Sequence, residues 1–248
     1  MQVTAGELDL KPLSARSVVL SVLLGIHPPE LPVRYLVRLA GEFRITEPAL
    51  RVALTRMTAA GDLARTGSTY RLADRLLDRQ RRQDDAIHTS TRDWDGEWEI
   101  VVVTALGRPA GDRAELRAAL TQLRLAELRE GVWTRPANLA RALPTDLRDS
   151  VQSFTGRPDI ASIELANTLW DLPGWAARAH ALIAHFTAST SNATRFTIAA
   201  AIVRHLLADP ALPEALRPPD WPADALRALY AEYQTELILL SDAVTSLD

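Results

Sequence analysis

The stretch over residues 45–71, ITEPALRVALTRMTAAGDLARTGSTYR, restricts the fold more than any other part of the chain. Leu50, Ala53, Leu54 and Met57 recur at the 3.6-residue period, so one helix face must be buried. Thr46 can cap the start and Gly61 can stop the end, which predicts a helix of about four turns. Residues 63–66 and 69–72 then read as a hairpin around Gly67 and Ser68, with Arg65 and Arg71 near its tip. The opposite helix face carries Pro48, Val52, Thr55 and Ala59, with Arg51 and Arg56 at its margins. Small, hydroxyl and arginine side chains facing outward can lie in a groove. A helix followed by a basic hairpin is the outline of a winged helix-turn-helix.

The residues before this stretch supply the helices such a unit needs. From Ser14, the apolar set Val18, Val19, Leu20, Val22, Leu23 and Leu24 predicts a buried first helix ending near Gly25, preceded by an arm over residues 1–13. Three prolines in HPPELP, residues 27–32, interrupt regular structure. A second helix over 32–40 presents Leu36, Leu39 and Ala40 inward, and Gly41 begins the turn into Ile45. Residues 1–83 hold 13 Lys+Arg against 8 Asp+Glu, a net of +5, which leaves −8 for the remainder of a chain whose total is −3. That asymmetry favours a polyanionic partner for the first third, because neutralised phosphates release counterions. The arginines between Arg75 and Arg82 can also be read simply as a solvated helix face.

In a helix-turn-helix the second helix of the pair enters the major groove, side chains meet base edges, and phosphate contacts fix the register. Arg51 and Thr55 are therefore assigned to base edges and Val52 to a thymine methyl. Arg44, Thr46 and Arg56 are placed for phosphates, and Arg65, Ser68, Thr69 and Arg71 form the wing.

A polar linker over 84–92 leads into a strand over 94–104, WDGEWEIVVVT, whose apolar end expects cover on at least one face. A loop over 107–111, a helix over 112–123, strands over 125–128 and 132–135, a short helix over 138–143 and a strand over 150–154 follow. The order β-α-β-β-α-β is that of a ferredoxin-like unit. The rest is helical, over 159–169, 174–186, 192–207 and 224–244, with a proline-rich connection over 209–222. There Trp170, Trp175 and Trp221 offer rings for a pocket, and Arg178, His180, Arg204 and His205 offer cations for an anionic effector. Trp221, flanked by prolines, equally suits the packing of a corner.

Other chemistries find no support. The five histidines include no i,i+4 pair and no H-E-x-x-H, so no metal is expected. Neither a nucleophile elbow nor a Walker or dinucleotide loop occurs, and no cofactor is expected. Cysteine is absent, no run approaches the roughly 18 apolar residues of a membrane helix, and no signal peptide is evident, all of which agree with a cytoplasmic address away from membranes.

With these segments in order, the chain resembles the PaaX family of bacterial transcriptional regulators. The resemblance is carried by SAR at 14–16, ALRVALTR at 49–56, WDGEW at 94–98, GVWTRP at 131–136, LWDL at 169–172, DPALP at 209–213 and PDWP at 219–222. It implies an N-terminal winged helix, a middle domain with the ferredoxin-like fold of a CRISPR-associated integrase subunit, and a helical C-terminal domain. It also implies a homodimer that binds operator DNA as a repressor and releases it on binding a small-molecule effector, an aryl-acyl-CoA thioester in the name-giving member. The family usually continues its first middle-domain strand with an F-D-x-P-like segment, whereas residues 104–109 here are TALGRP. Loss of that acid argues against metal-dependent nuclease chemistry. The expectation is an α+β chain with a DNA-binding domain over 1–83, a dimerising middle domain over 92–158 and an effector-binding domain over 159–248. The rivals are a nucleic-acid-processing enzyme built on the middle domain and a winged helix that binds protein.

Overall fold

The apolar run after Ser14 forms α1 (Ala15–Leu24), with six buried residues and the Ser14 hydroxyl accepting from the Ser17 amide at 3.2 Å. The chain continues through β1 (Glu30–Pro32), α2 (Val33–Glu42), α3 (Glu47–Ala59), β2 (Leu63–Thr66), β3 (Thr69–Leu72) and α4 (Asp74–Ile87). These elements belong to a computed structural model that describes residues 13–105 and 109–245. The expected arm over 1–12 and the first part of the expected 107–111 loop lie outside the described residues.

Leu50, Leu54 and Met57 of α3 are buried in one cluster with Val19, Leu23 and Leu36. Each such side chain contributes about 1.5–3 kcal/mol by leaving water. The proline-interrupted stretch is more ordered than its composition predicts: Leu31 of β1 pairs with Tyr70, making a three-stranded sheet of order β1-β3-β2. Proline at the end of an edge strand costs no ladder bond there, which is why HPPELP can still contribute a strand. Gly41 lies inside α2, and the turn begins instead at Phe43. The expected linker is also shorter, because α4 runs to Ile87 with Gln83, Ala86 and Ile87 buried. Its inward glutamines have a specific task. Gln80 donates to the carbonyls of Leu23, Leu24 and Ile26, and Gln83 to that of Leu24, satisfying acceptors that the end of α1 leaves open.

Two compact units result. The first joins Met1–Ile87 to Arg178–Leu206 and Ala223–Asp248, and the second joins His88–Ala177 to Leu207–Pro222. In the second unit β4 (Trp98–Val103), α5 (Ala110–Gln122), β5 (Ala126–Arg129), β6 (Val132–Pro136) and β7 (Val151–Gly156) build a sheet of order β5-β6-β4-β7, antiparallel throughout. This is the strand order of a ferredoxin-like unit. One face, with Val101, Trp133 and Val151, packs on Leu116 and Leu120 of α5. β4 starts later than expected, because Gly96 at φ +95° bends the chain and the Trp94 indole donates to the Glu97 carbonyl at 2.6 Å.

The helix expected over 138–143 does not form; only a 3-10 turn at Thr145–Leu147 follows β6. Asn138 is buried instead, its side-chain amide donating to the Ala211 carbonyl at 3.0 Å and its own carbonyl accepting from the Arg92 amide at 2.8 Å. Beside it, fully buried Arg135 donates to Asn138 Oδ1 at 2.8 Å and to the carbonyls of Pro136, Arg124 and Ala211. Burial, then the neighbouring Arg141 and Arg124, lower its pKa to about 9, still high enough to keep it charged at neutral pH. The remaining helices are α6 (Ser162–Leu169), α7 (Leu172–Ala188), α8 (Asn192–Leu207) and α9 (Ala223–Thr245), close to the sequence expectation. None of the described helices is long and apolar enough to cross a membrane.

Candidate nucleic-acid interface

The Thr46 hydroxyl caps α3 by accepting from the Ala49 amide at 3.5 Å, and Gly61 at φ +71° ends it, as the spacing predicts. With Leu50, Leu54 and Met57 turned inward, Arg51, Val52, Thr55 and Arg56 are all exposed, Val52 at 50 % despite being apolar. Arg51 is not a loose cation: its Nε donates to Glu47 Oε1 at 2.8 Å, one turn earlier on the same face. The Thr55 hydroxyl donates to the Arg51 carbonyl at 3.0 Å, leaving its acceptor side outward. Arg44 sits in the turn before α3 at φ +56°, where a non-glycine residue costs about 1 kcal/mol, and its side chain is exposed.

The wing divides its cations between two faces. Arg65 pairs across the hairpin with Tyr70, its guanidinium 5.6 Å from that ring and donating to the Gly67 carbonyl at 2.8 Å. Arg71 pairs with Ala64 and with Glu30, which places it with Thr69 on the opposite, outward face. Ser68 lies at the exposed tip, where Gly67 takes the positive φ of the two-residue turn. The four wing residues therefore do not form one surface, a division that the sequence pattern could have revealed through strand alternation.

A cluster that sequence reading missed holds the end of α3. Asp62, nearly inaccessible, accepts from Arg16 Nε at 3.3 Å and Nη2 at 3.1 Å, and from Arg75. Arg75 also donates to the Gly61 carbonyl at 2.7 Å and the Ala60 carbonyl at 3.1 Å. These are the carbonyls a helix end leaves without partners. Arg75 is thus a structural clamp, whereas Arg79, Arg81 and Arg82 are exposed and Arg81 pairs with Asp78. No local pattern marks a partnership between residues 46 apart, although Arg16 stands in the SAR motif.

The effector candidates fall in both units, with Trp175, Arg178 and His180 all on α7. In the second unit Trp175 and Trp221 stack with centroids 4.5 Å apart, and Trp170 stacks on Trp98 at 6.4 Å, against a cluster containing Leu165 and Leu212. Arg178, His180, Arg204 and His205 belong to the first unit, the first three exposed and His205 buried. Among the described residues no group of three His, Asp or Glu side chains is placed to hold a metal ion.

Three family models match in chain order: "PaaX-like protein" over residues 14–76, "PaaX protein central Cas2-like domain" over 91–164 and "PaaX-like protein C-terminal domain" over 173–246. The solved structure of the uncharacterized protein Rv0674 from Mycobacterium tuberculosis is 49% identical, with a TM-score of 0.81 over 94% of this chain and 99% of that one. No functionally curated protein matches the chain. The chain belongs to the PaaX-like family, whose members are transcriptional repressors and generally regulators rather than enzymes.

Proposed function

We propose that the chain is a homodimeric cytoplasmic repressor that reads double-stranded operator DNA with α3 and leaves it when a small-molecule effector binds. Residues 1–83 bind the operator, 92–158 dimerise and 159–248 answer the effector. The observation that carries this reading is the outward face of α3, on which Arg51, Val52, Thr55 and Arg56 are exposed together on a helix whose other face is locked into a core. Arg51 supplies a forked donor for guanine, Thr55 an acceptor and Val52 a methyl contact. Arg44, Thr46 and Arg56 meet phosphates, as do Ser68, Thr69 and Arg71 from the tip and outward face of the wing, with Arg65 on its other face.

Two such helices reach successive major-groove faces only in a dimer, and the middle sheet offers a surface for one. Ile100 and Val102 are only partly buried on the face away from α5, and Phe154, paired with Ile100, is 50 % exposed. An apolar sheet face of this kind is a poor surface to leave in water.

Selection of duplexes from a random pool, followed by fluorescence anisotropy, tests the reading. Arg51→Ala should relax preference at one base pair by about 1–3 kcal/mol. Arg56→Ala should weaken all duplexes alike and make the salt slope shallower by about one. A pool from which no preferred sequence emerges, with binding to duplex no tighter than to any other polyanion, would refute it.

A further inference from the structure

In the first unit a cavity of about 150 Å³ opens between α2, the first turn of α8 and the middle of α9. Its walls are aromatic: Tyr35 and Phe43 on the α2 side, Phe196 from α8 and Tyr233 from α9. Phe43 meets Phe196 edge-on, with centroids 5.2 Å apart. Arg195, which also lines the cavity, lies over the Phe186 ring at 4.7 Å and the Tyr233 ring at 5.5 Å, and pairs with Glu236 at 3.0 Å. Those two charges answer each other.

The other two charges at the cavity do not. Arg38 and Glu42 stand one turn apart on α2, both exposed, and neither makes an ion pair among the described residues. Basic before acidic at i,i+4 is the weaker order for a helical pair, so each keeps an open valence toward the cavity mouth. The volume suits a small guest: about 150 Å³ is enough for one benzene-sized ring.

From these features we infer that the cavity binds a small aromatic zwitterion of the aromatic amino acid class, with its ring among Tyr35, Phe43, Phe196 and Tyr233, its carboxylate on Arg38 and its ammonium on Glu42. The site stands on the cavity itself; its regulatory consequence rests on the reading of the chain as an effector-controlled DNA-binding protein. Phe43 is the first residue after α2, Arg44 follows in its left-handed conformation, and α3 starts at Glu47. A second cavity of about 290 Å³ shares Glu42 and Phe43 and is lined by Arg44. Phe43 therefore has space on both sides, and a ring pressed against it acts on the turn that aims the reading helix.

Isothermal titration calorimetry on the full chain, with L-phenylalanine, its deamino analogue 3-phenylpropanoate and its decarboxy analogue phenethylamine, tests the site. L-phenylalanine should bind one per chain and about tenfold or more tighter than either analogue, because each analogue leaves one charged partner unmet. Arg38→Gln should remove the advantage over phenethylamine, and Glu42→Gln the advantage over 3-phenylpropanoate. Both substitutions are at exposed helix positions, and circular dichroism checks that the variants are folded. No saturable binding of L-phenylalanine up to about 10 mM overturns the inference. So does an affinity for 3-phenylpropanoate or phenethylamine equal to that for L-phenylalanine. Added to the DNA titration, L-phenylalanine should weaken duplex binding of the wild type and not of Arg38→Gln. A chain that binds the amino acid as expected and never binds duplex would refute the repressor reading while supporting the site.

Discussion

Removing the Asp62 carboxylate should loosen α3 without touching its exposed face. In Asp62→Ala, Arg16 loses two bonds and Arg75 loses one. A hydrogen bond to a charged group contributes about 1.5–3 kcal/mol, and breaking a fully buried ion pair costs about 3–5 kcal/mol. Here the carboxylate side chain is 4 % accessible but the two guanidinium side chains are 58 % and 56 % accessible, so water re-solvates them when their partner goes. Solvent screening brings the expected loss down to about 2 kcal/mol. At a urea slope of about 2–3 kcal/mol per molar, the midpoint falls by roughly 0.7–1 M. Far-ultraviolet circular dichroism is the assay to use, because all six tryptophans lie in the other unit and their fluorescence reports on that unit instead. Asp62→Asn keeps the shape and one acceptor and should lose less. DNA titration then separates a clamp from a phosphate contact. Arg75→Ala should lower affinity with an unchanged salt slope, since its guanidinium is already bonded to Asp62, Gly61 and Ala60. A midpoint shift under about 0.2 M for Asp62→Ala, or a salt slope shallower by about one for Arg75→Ala, would refute the assignment.

Other perturbations address other parts of the molecule. Arg135→Met keeps the volume but removes the donor to Asn138 Oδ1 and to the carbonyls of Pro136 and Arg124, with Ala211 keeping only its bond from Asn138, so the tryptophan-monitored urea transition should lose about 3 kcal/mol. Burial pushes the Tyr230 hydroxyl up to about 12. The unfolded side chain ionises first, near pH 10, so this group's contribution to stability is full below about pH 10 and falls by about 3 kcal/mol as pH rises to about 12, with partly buried Tyr233, whose hydroxyl is also pushed up, adding a loss of its own. Tyr230→Phe should flatten that fall in alkaline denaturation curves. Phe154→Glu places a charge on the open sheet face and should shift sedimentation from dimer to monomer; a dimer of unchanged affinity would move the interface elsewhere.

The parts of the fold legible in the sequence are those where local chemistry and burial coincide. The period of Leu50, Leu54 and Met57, the Thr46 cap and the Gly61 stop all concern residues within a few positions of one another, and α3 forms as they require. Interactions across long separations were not legible. Gln80 stands among arginines on a helix that reads as a solvated face, yet it is buried because the end of α1, more than 50 residues earlier, needs donors. Asn138 and Arg135 follow the same logic. The Leu- and Ala-rich stretch after Asn138 reads as helical, but the asparagine has a carbonyl partner at Ala211, and the bond to it is made at the expense of a turn of helix. Of the candidate site, the exposed set on α3 and, through strand alternation, the split of the wing cations were readable, while the aromatic cavity was not, since it depends on which helices become neighbours.

The same long-range polar bonds determine what the winged helix can respond to. Gln234 of α9 donates to the Gly25 carbonyl at 2.6 Å, joining the two glutamines of α4 at the end of α1. Phe196 of α8 and Leu237 of α9 enter the cluster that buries Leu50, Leu54 and Met57. Helices from the C-terminal third therefore complete the core that holds α3 instead of forming a separate body beside it. The contacts that seat α8 and α9 on that cluster are therefore contacts with the residues that support α2 and α3. Arg195 joins these elements: its pairing with Glu236 and its stacking on Tyr233 hold α8 against α9, and it lines the same cavity as Phe43, where the turn before α3 begins. If the aromatic cavity binds its ligand as proposed, control of α3 needs no signal carried over a long path, because α8 and α9 are already part of its support.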